Sequence, residues 1–231
     1  KDMNIDMGSM LPYLSWFWEG TKVTLTISFI TVVLGCIIGF VATLARRSRF
    51  KLLNWISSAY TQVIRGTPIL LQIYLWTGGL PQIGIKIPDM MGISRSGLYI
   101  TVVLALAINS GAYISEIFRS GLNSVDKGQA EAARSLGLNA KQTMRFVILP
   151  QAIKTILPAL GNEFIMMIKE SSMVSVVGLG DVMYQQKILQ GATYKIFEPL
   201  IMIGIIYFLL TSILTFGLGI LERRLNRDAK N

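Results

Sequence analysis

Apolar residues run in long stretches along this chain, and the charges between them set the architecture. Val23 to Ala45 is 23 residues without a charge, as is Pro199 to Leu221; Ser96 to Ser115 is 20, and Leu52 to Ile85 is interrupted only by Arg65. A helix rises about 1.5 Å per residue and the hydrocarbon core of a bilayer is about 30 Å thick, so about 20 residues cross it. A fifth apolar stretch, roughly Gln151 to Gly178, carries Lys154, Glu163, Lys169 and Glu170. Charges are costly in lipid, so this stretch belongs inside a bundle or beside a wet path. The pattern predicts an all-α membrane protein with five transmembrane helices, near 23–45, 57–79, 97–118, 151–178 and 199–221. Residues 10–18, MLPYLSWFW, read as a short interfacial helix at headgroup level. The run at 23–45 exceeds an ordinary signal core and lacks a small-residue cleavage pattern after it.

Composition agrees and narrows the chemistry. Of 231 residues, 52% are hydrophobic and 15% charged, against about 25% charged in a soluble domain. Disorder requires the opposite balance. His is absent and Cys36 is the single cysteine, which removes the commonest general base, any internal disulfide and any Cys/His zinc site. The net charge of +9 is concentrated in loops. One set of loops holds 14 of the Lys and Arg residues, from Arg46 to Lys51, Arg119 to Lys154 and Arg223 to Lys230; the other holds 6. Five spans alternate these sets, which puts the N-terminus outside and the C-terminus in the cytoplasm. The expected division is an extracellular segment 1–22, a permeating membrane domain 23–221 and a cytoplasmic tail 222–231.

Several features are read as packing. Gly35 and Gly39 form a G-x-x-x-G that lets helices approach closely. Met166, Met167 and Met173 read as adaptable core filling, and Trp16, Trp18, Trp55 and Trp76 as interfacial belts.

The cytoplasmic loop 119–150 has local structure of its own. Gln129 to Leu136 is rich in helix formers, Gly137 supplies a left-handed stop, and Asn139 with Gln142 makes a capping-box start for a second helix. Pro150 marks a kink or boundary beyond it. Two short helices joined by a glycine turn suit docking into a partner's groove. A DNA-reading helix-turn-helix is the least favoured reading, because both ends run directly into membrane spans.

Here the sequence resembles a known family. Glu131-Ala132-Ala133, Gly137 and Leu149-Pro150 match the EAA-loop signature of membrane subunits of ATP-binding-cassette importers, with Val147 where isoleucine is usual. Arg65-Gly66-Thr67-Pro68-Ile69-Leu70-Leu71-Gln72, Gly111-Ala112-Tyr113 with Glu116-Ile117-Phe118-Arg119, Gly128-Gln129, and Lys169-Glu170-Ser171-Ser172 look like its polar-amino-acid branch, which takes up histidine, glutamine, glutamate, arginine and opines. The similarity covers about residues 15 to 225. It implies the type I importer fold. Gly128, Gln129, Glu131, Ala132, Ala133, Leu136 and Gly137 would then form the coupling element on a separate ATPase. It also implies a pair of such ATPase subunits carrying ATP and Mg, a second permease copy or homologue, and an extracytoplasmic amino-acid-binding protein. The chain itself contains no phosphate-cradling G-x-x-x-x-G-K-[ST], so it is expected to be non-catalytic, with no cofactor of its own.

Ionisable groups at membrane depth mark the expected path. Asn162 and Glu163, with the small Ala159 on the same helical face, are candidates for a substrate site that prefers basic amino acids. Arg65, Glu116, Lys169, Ser171 and Ser172 are gate or path candidates, with structural pairing favoured for Arg65 and Glu116. The competing function is an ion channel, which would need polar span residues but no coupling loop.

Overall fold

The computed structural model describes residues 5–90 and 92–227. The rest of the expected N-terminal and tail segments, with Lys1 and Lys230 of the orientation argument, lies outside the described residues. Among the described residues every regular element is helical.

A 3-10 turn at Met7–Tyr13 leads directly into α1, Leu14–Arg46. The aromatic segment 10–18 is therefore no separate interfacial helix. After Pro12 no proline follows until Pro68, so Leu14 to Trp18 become the first turn of a 33-residue rod about 50 Å long. The second span is broken instead of continuous. It comprises α2, Lys51–Arg65, and α3, Ile69–Tyr74, then a π turn at Leu75–Gly79 and the single turn α4, Leu80–Gln82. The break falls at Gly66-Thr67-Pro68, where proline has no N–H to continue the ladder.

The third span, α5, is Ser96–Asn123. Asp89, in the loop before it, accepts hydrogen bonds from the N–H groups of Gly97 at 2.8 Å and Arg95 at 3.0 Å, and these hold its carboxyl below the usual aspartate range. The loop helices follow: α6, Lys127–Ser135, and α7, Ala140–Thr143. From α7 the chain passes through a π turn at Met144–Ile148 into α8, Leu149–Glu170. The second loop helix is thus the foot of α8. Pro150 sits just past the π turn, where its missing N–H and its ring favour a widened turn.

The fourth span ends at Glu170, earlier than the expected 178, and a 3-10 stretch covers Ser171–Val177. A further helix, α9, Val182–Thr193, was not read from the sequence. Asp181 caps it by accepting from the N–H groups of Met183 at 3.0 Å and Tyr184 at 3.1 Å. The chain closes with α10, Phe197–Arg227. Among the described residues three segments are long and apolar enough to cross a bilayer by length and composition: Met7–Arg46, Ser96–Asn123 and Phe197–Leu225.

The centre of the molecule is the α1–α5 seam. A Cβ on Gly39 would lie 2.8 Å from Ile114 Cγ2 and 2.9 Å from both Gly111 O and Ser115 N; one on Gly111 would lie 2.7 Å from Ile38 Cγ2. The glycines are there for contact, as the G-x-x-x-G spacing predicts. Thr43 and Ser57 turn their hydroxyls onto backbone carbonyls, Thr43 on Gly39 at 2.8 Å and Ser57 on Ala42 at 2.7 Å. Ile27, Ile73, Val102, Leu106, Met167, Val174 and Leu179 form the main apolar cluster, and Phe17, Val182, Leu189 and Ile203 a second one under α9. Met167 is core, but Met166 and Met173 are exposed, contrary to the packing expectation. Trp16, Trp18 and Trp55 are exposed and Trp76 is half-buried.

Candidate functional site

The loop elbow is built by local chemistry. Asp126 accepts from the Gly128 N–H at 2.7 Å and opens α6. Gly137, at φ +84, stops it, because a left-handed residue there tolerates no Cβ without strain. Asn139 and Gln142 then exchange both hydrogen bonds of a capping box, at 2.9 and 3.0 Å. Ala133 is buried, while Glu131, Ala132 and Leu136 point outward, Leu136 being 82% exposed. Gln129 accepts from Gln151 Nε2 at 3.3 Å, which braces α6 on the first turn of α8. Ser124 donates to Thr155 Oγ1 at 3.4 Å and ties the end of α5 to the same helix. The elbow is therefore fixed to α8, the helix that carries the polar membrane residues.

On α8, Asn162 and Glu163 diverge. Glu163 is half-buried and accepts from Ser110 Oγ of α5 at 2.7 Å. Asn162 is exposed, on a stripe with Gln151, Thr155, Met166 and Lys169, which the helical period of 3.6 residues puts on one side. Ala159 is half-buried between the two. Adjacent helical positions are about 100° apart, so within one chain the pair does not converge on a single pocket as expected. Gly161, on the opposite side, packs on Leu218 of α10. The exposed stripe mixes amides, a hydroxyl and a cation, which suits a wet path or a second subunit and not lipid.

A second polar group lies where α1, α2 and α5 meet. Glu116 accepts from Arg46 of α1 and, in a fork, from Arg119 Nε at 2.8 Å and Nη2 at 2.6 Å. Arg65 lies over the Tyr113 ring, 5.2 Å from its centroid. Arg46, Arg65, Glu116 and Arg119, with Thr61 and Gln62, line a cavity of about 450 Å³. Glu116 is thus paired with two arginines and Arg65 with an aromatic ring. In the sequence Arg46 is one more loop cation, and no local pattern ties it to Glu116, 70 residues away.

The break between α2 and α3 is mended by an amide. Gln72 donates from Nε2 to the carbonyls of Ile64 at 2.9 Å and Thr67 at 3.2 Å, and to Thr67 Oγ1 at 2.9 Å. Its Oε1 accepts from Asn109 Nδ2 at 3.0 Å. Both amides are buried. At membrane depth an interrupted ladder needs such partners, which gives the RGTPILLQ block a physical meaning that a continuous helix would not have.

Of the remaining candidates, Ser171 is buried and donates to the Ile168 carbonyl at 2.8 Å; Ser172 is half-buried and Lys169 exposed. The helix does break at this cluster, and Lys187 of α9 donates to the Ser175 carbonyl at 3.2 Å just beyond it. Among the described residues no group of three or more His, Cys, Asp or Glu side chains is placed to hold a metal.

Comparisons with known proteins agree with this architecture. Residues 31–227 match the family model described as the binding-protein-dependent transport system inner membrane component. The arginine transport system permease protein ArtQ of Bacillus subtilis is 43% identical over 98% of this chain and 100% of its own length. A crystal structure of an amino acid ABC transporter with histidines contains a chain that is 46% identical, with TM-score 0.90, covering 96% of this chain and 100% of that one. The inward-facing methionine transporter MetNI shares the fold at 18% identity and TM-score 0.71, covering 93% and 98%. The family supports a transport subunit and not the ion-channel alternative, nor a catalytic enzyme. This chain belongs to the family of inner membrane components of binding-protein-dependent transport systems.

Proposed function

We propose that this chain is the permease subunit of an ATP-driven importer of polar amino acids, with cationic ones preferred. It crosses the membrane five times, through α1, the broken α2–α3 pair, α5, α8 and α10, with the N-terminus outside. A pair of ATPase subunits, holding ATP and Mg, docks on Glu131, Ala132, Leu136 and Gly137, while Gly128, Gln129 and Ala133 fix the docking helix to its base. A second permease copy or homologue closes the path, and an extracytoplasmic binding protein delivers the amino acid. The observation that carries this reading is mechanical continuity. The capping box at Asn139–Gln142 opens a helix that runs through the π turn to Glu170, so one rod joins the exposed elbow to Glu163 and the polar stripe. A tilt imposed at the elbow is delivered to the membrane end of the same rod.

Substrate preference rests on the carboxylate. Glu163 has one oxygen engaged by Ser110 and is half-buried, so it can attract an ammonium or guanidinium through the other. The similarity to an arginine transport permease, 43% identical, supports the same charge. Uptake of arginine and glutamine into vesicles that hold the whole transporter tests it. Glu163→Gln should cut the arginine-over-glutamine ratio about tenfold, the loss of one charge-assisted contact. An unchanged ratio would remove Glu163 from the site.

A further inference from the structure

Two apolar grooves run along α1, and their rims differ in charge. The groove between α1 and α5 encloses about 570 Å³ and ends at Glu19 and Lys22, which neutralise each other at 2.7 Å. The groove between α1 and α2 encloses about 370 Å³ and is walled by Ile37, Val41 and Ala45 on one side and Leu53, Ile56 and Tyr60 on the other. Its two hydroxyls are spent elsewhere, Ser57 on the Ala42 carbonyl at 2.7 Å and Tyr60 on the Ile108 carbonyl at 2.6 Å. The walls are left apolar. From Ile37 to Ala45 the groove is about 12 Å long at 1.5 Å per residue, close to half of the roughly 30 Å hydrocarbon core.

This second groove opens onto the turn between α1 and α2, where Arg47, Arg49 and Lys51 are all exposed. Among the described residues none of the three has an ion-pair partner. Phe50, Leu52 and Trp55, beside them, are 72%, 67% and 67% exposed, an apolar and aromatic collar at the level of the charges. An apolar slot close to the depth of one leaflet, with three exposed cations in the turn that joins its two walls, matches one kind of molecule. We propose that the α1–α2 groove holds an acyl chain of an anionic phospholipid whose phosphate is bound by Arg47, Arg49 and Lys51. The site rests on the membrane-spanning reading above. The α1–α5 groove, with its neutral rim, has no preference for anionic lipid.

The test counts lipids on the transporter purified with its accompanying subunits, by native mass spectrometry against phosphatidylglycerol and phosphatidylcholine of identical chains. The parent should retain phosphatidylglycerol over phosphatidylcholine, and the triple variant Arg47→Gln/Arg49→Gln/Lys51→Gln should lose that preference by at least about tenfold. Val41→Trp, which plugs the slot and keeps every charge, should lose retention too, and Lys22→Gln should not. Equal retention of the two lipids by the parent, or undiminished phosphatidylglycerol on the triple variant, overturns the proposal. So does a cross-link from Val41→Cys to a second permease copy, which would mean that protein fills the groove. Failure of parental vesicles to accumulate any amino acid would instead count against the importer reading, whatever the lipid counts show.

Discussion

The α1–α5 seam and the α2–α3 break meet α5 two residues apart, at Gly111 and Asn109, but are held by different physics. At the seam both backbone ladders are unbroken, so small residues suffice and the backbones touch through Gly39 and Gly111. At the break the ladder is open, and the buried amides of Gln72 and Asn109 replace what is lost. The seam has one arrangement at contact distance. The break is joined by side-chain hydrogen bonds that can be exchanged, which makes it the natural place for span two to flex while α1 and α5 move together.

The contrast can be attacked from either side. The largest effect is expected from Gly39→Leu, because the added Cβ alone overlaps backbone atoms of α5 at 2.9 Å, and no side-chain rotation relieves that. Thermal unfolding of the purified complex should show a loss of about 3 kcal/mol, at the upper end of overpacking; a parental melting curve would mean that the seam is looser than described. Gln72→Leu should cost about 1–3 kcal/mol by stranding the Ile64 and Thr67 carbonyls and the Asn109 amide. Hydrogen exchange should then rise around 64–69 and leave the seam unchanged, and uniform exchange across both regions would erase the distinction.

The smallest effect concerns Asp89, outside both regions. Its carboxyl is held below the ordinary aspartate range by the N–H groups of Gly97 and Arg95. A depressed acid stabilises above its unfolded value, about 3.9, and that contribution is lost only as pH falls through the lower folded value. With the intrinsic pH dependence of amide exchange divided out, protection at the start of α5 should therefore be flat from neutral pH down to about 4 and fall below it. Asp89→Ala should be fast throughout.

These cases also show what was readable in advance. The elbow was legible because its signals are local: the Gly137 stop and the Asn139–Gln142 box act over three residues or fewer. The glycine seam was legible as a spacing, although its partner helix was not. What escaped was set by distant pairs: Gln72 with Asn109, 37 residues apart, Ser110 with Glu163, 53 apart, and Arg46 with Glu116, 70 apart. Hydropathy alone ran spans two and four through their breaks, since Gly66-Thr67-Pro68 and Ser171-Ser172 carry no charge. It also passed over α9, whose amphipathic length falls short of a span and whose opening cap, Asp181, is a single residue.

The central claim is that the elbow transmits the partner's ATP state along α7 and α8 to the membrane path. Vesicles containing the complete transporter with Gly137→Pro or Glu131→Lys measure it most directly, with ATP hydrolysis and amino-acid accumulation followed in the same sample. The account predicts that the subunits insert and hydrolyse ATP while accumulation falls away. Accumulation at the parental rate in either variant would contradict it.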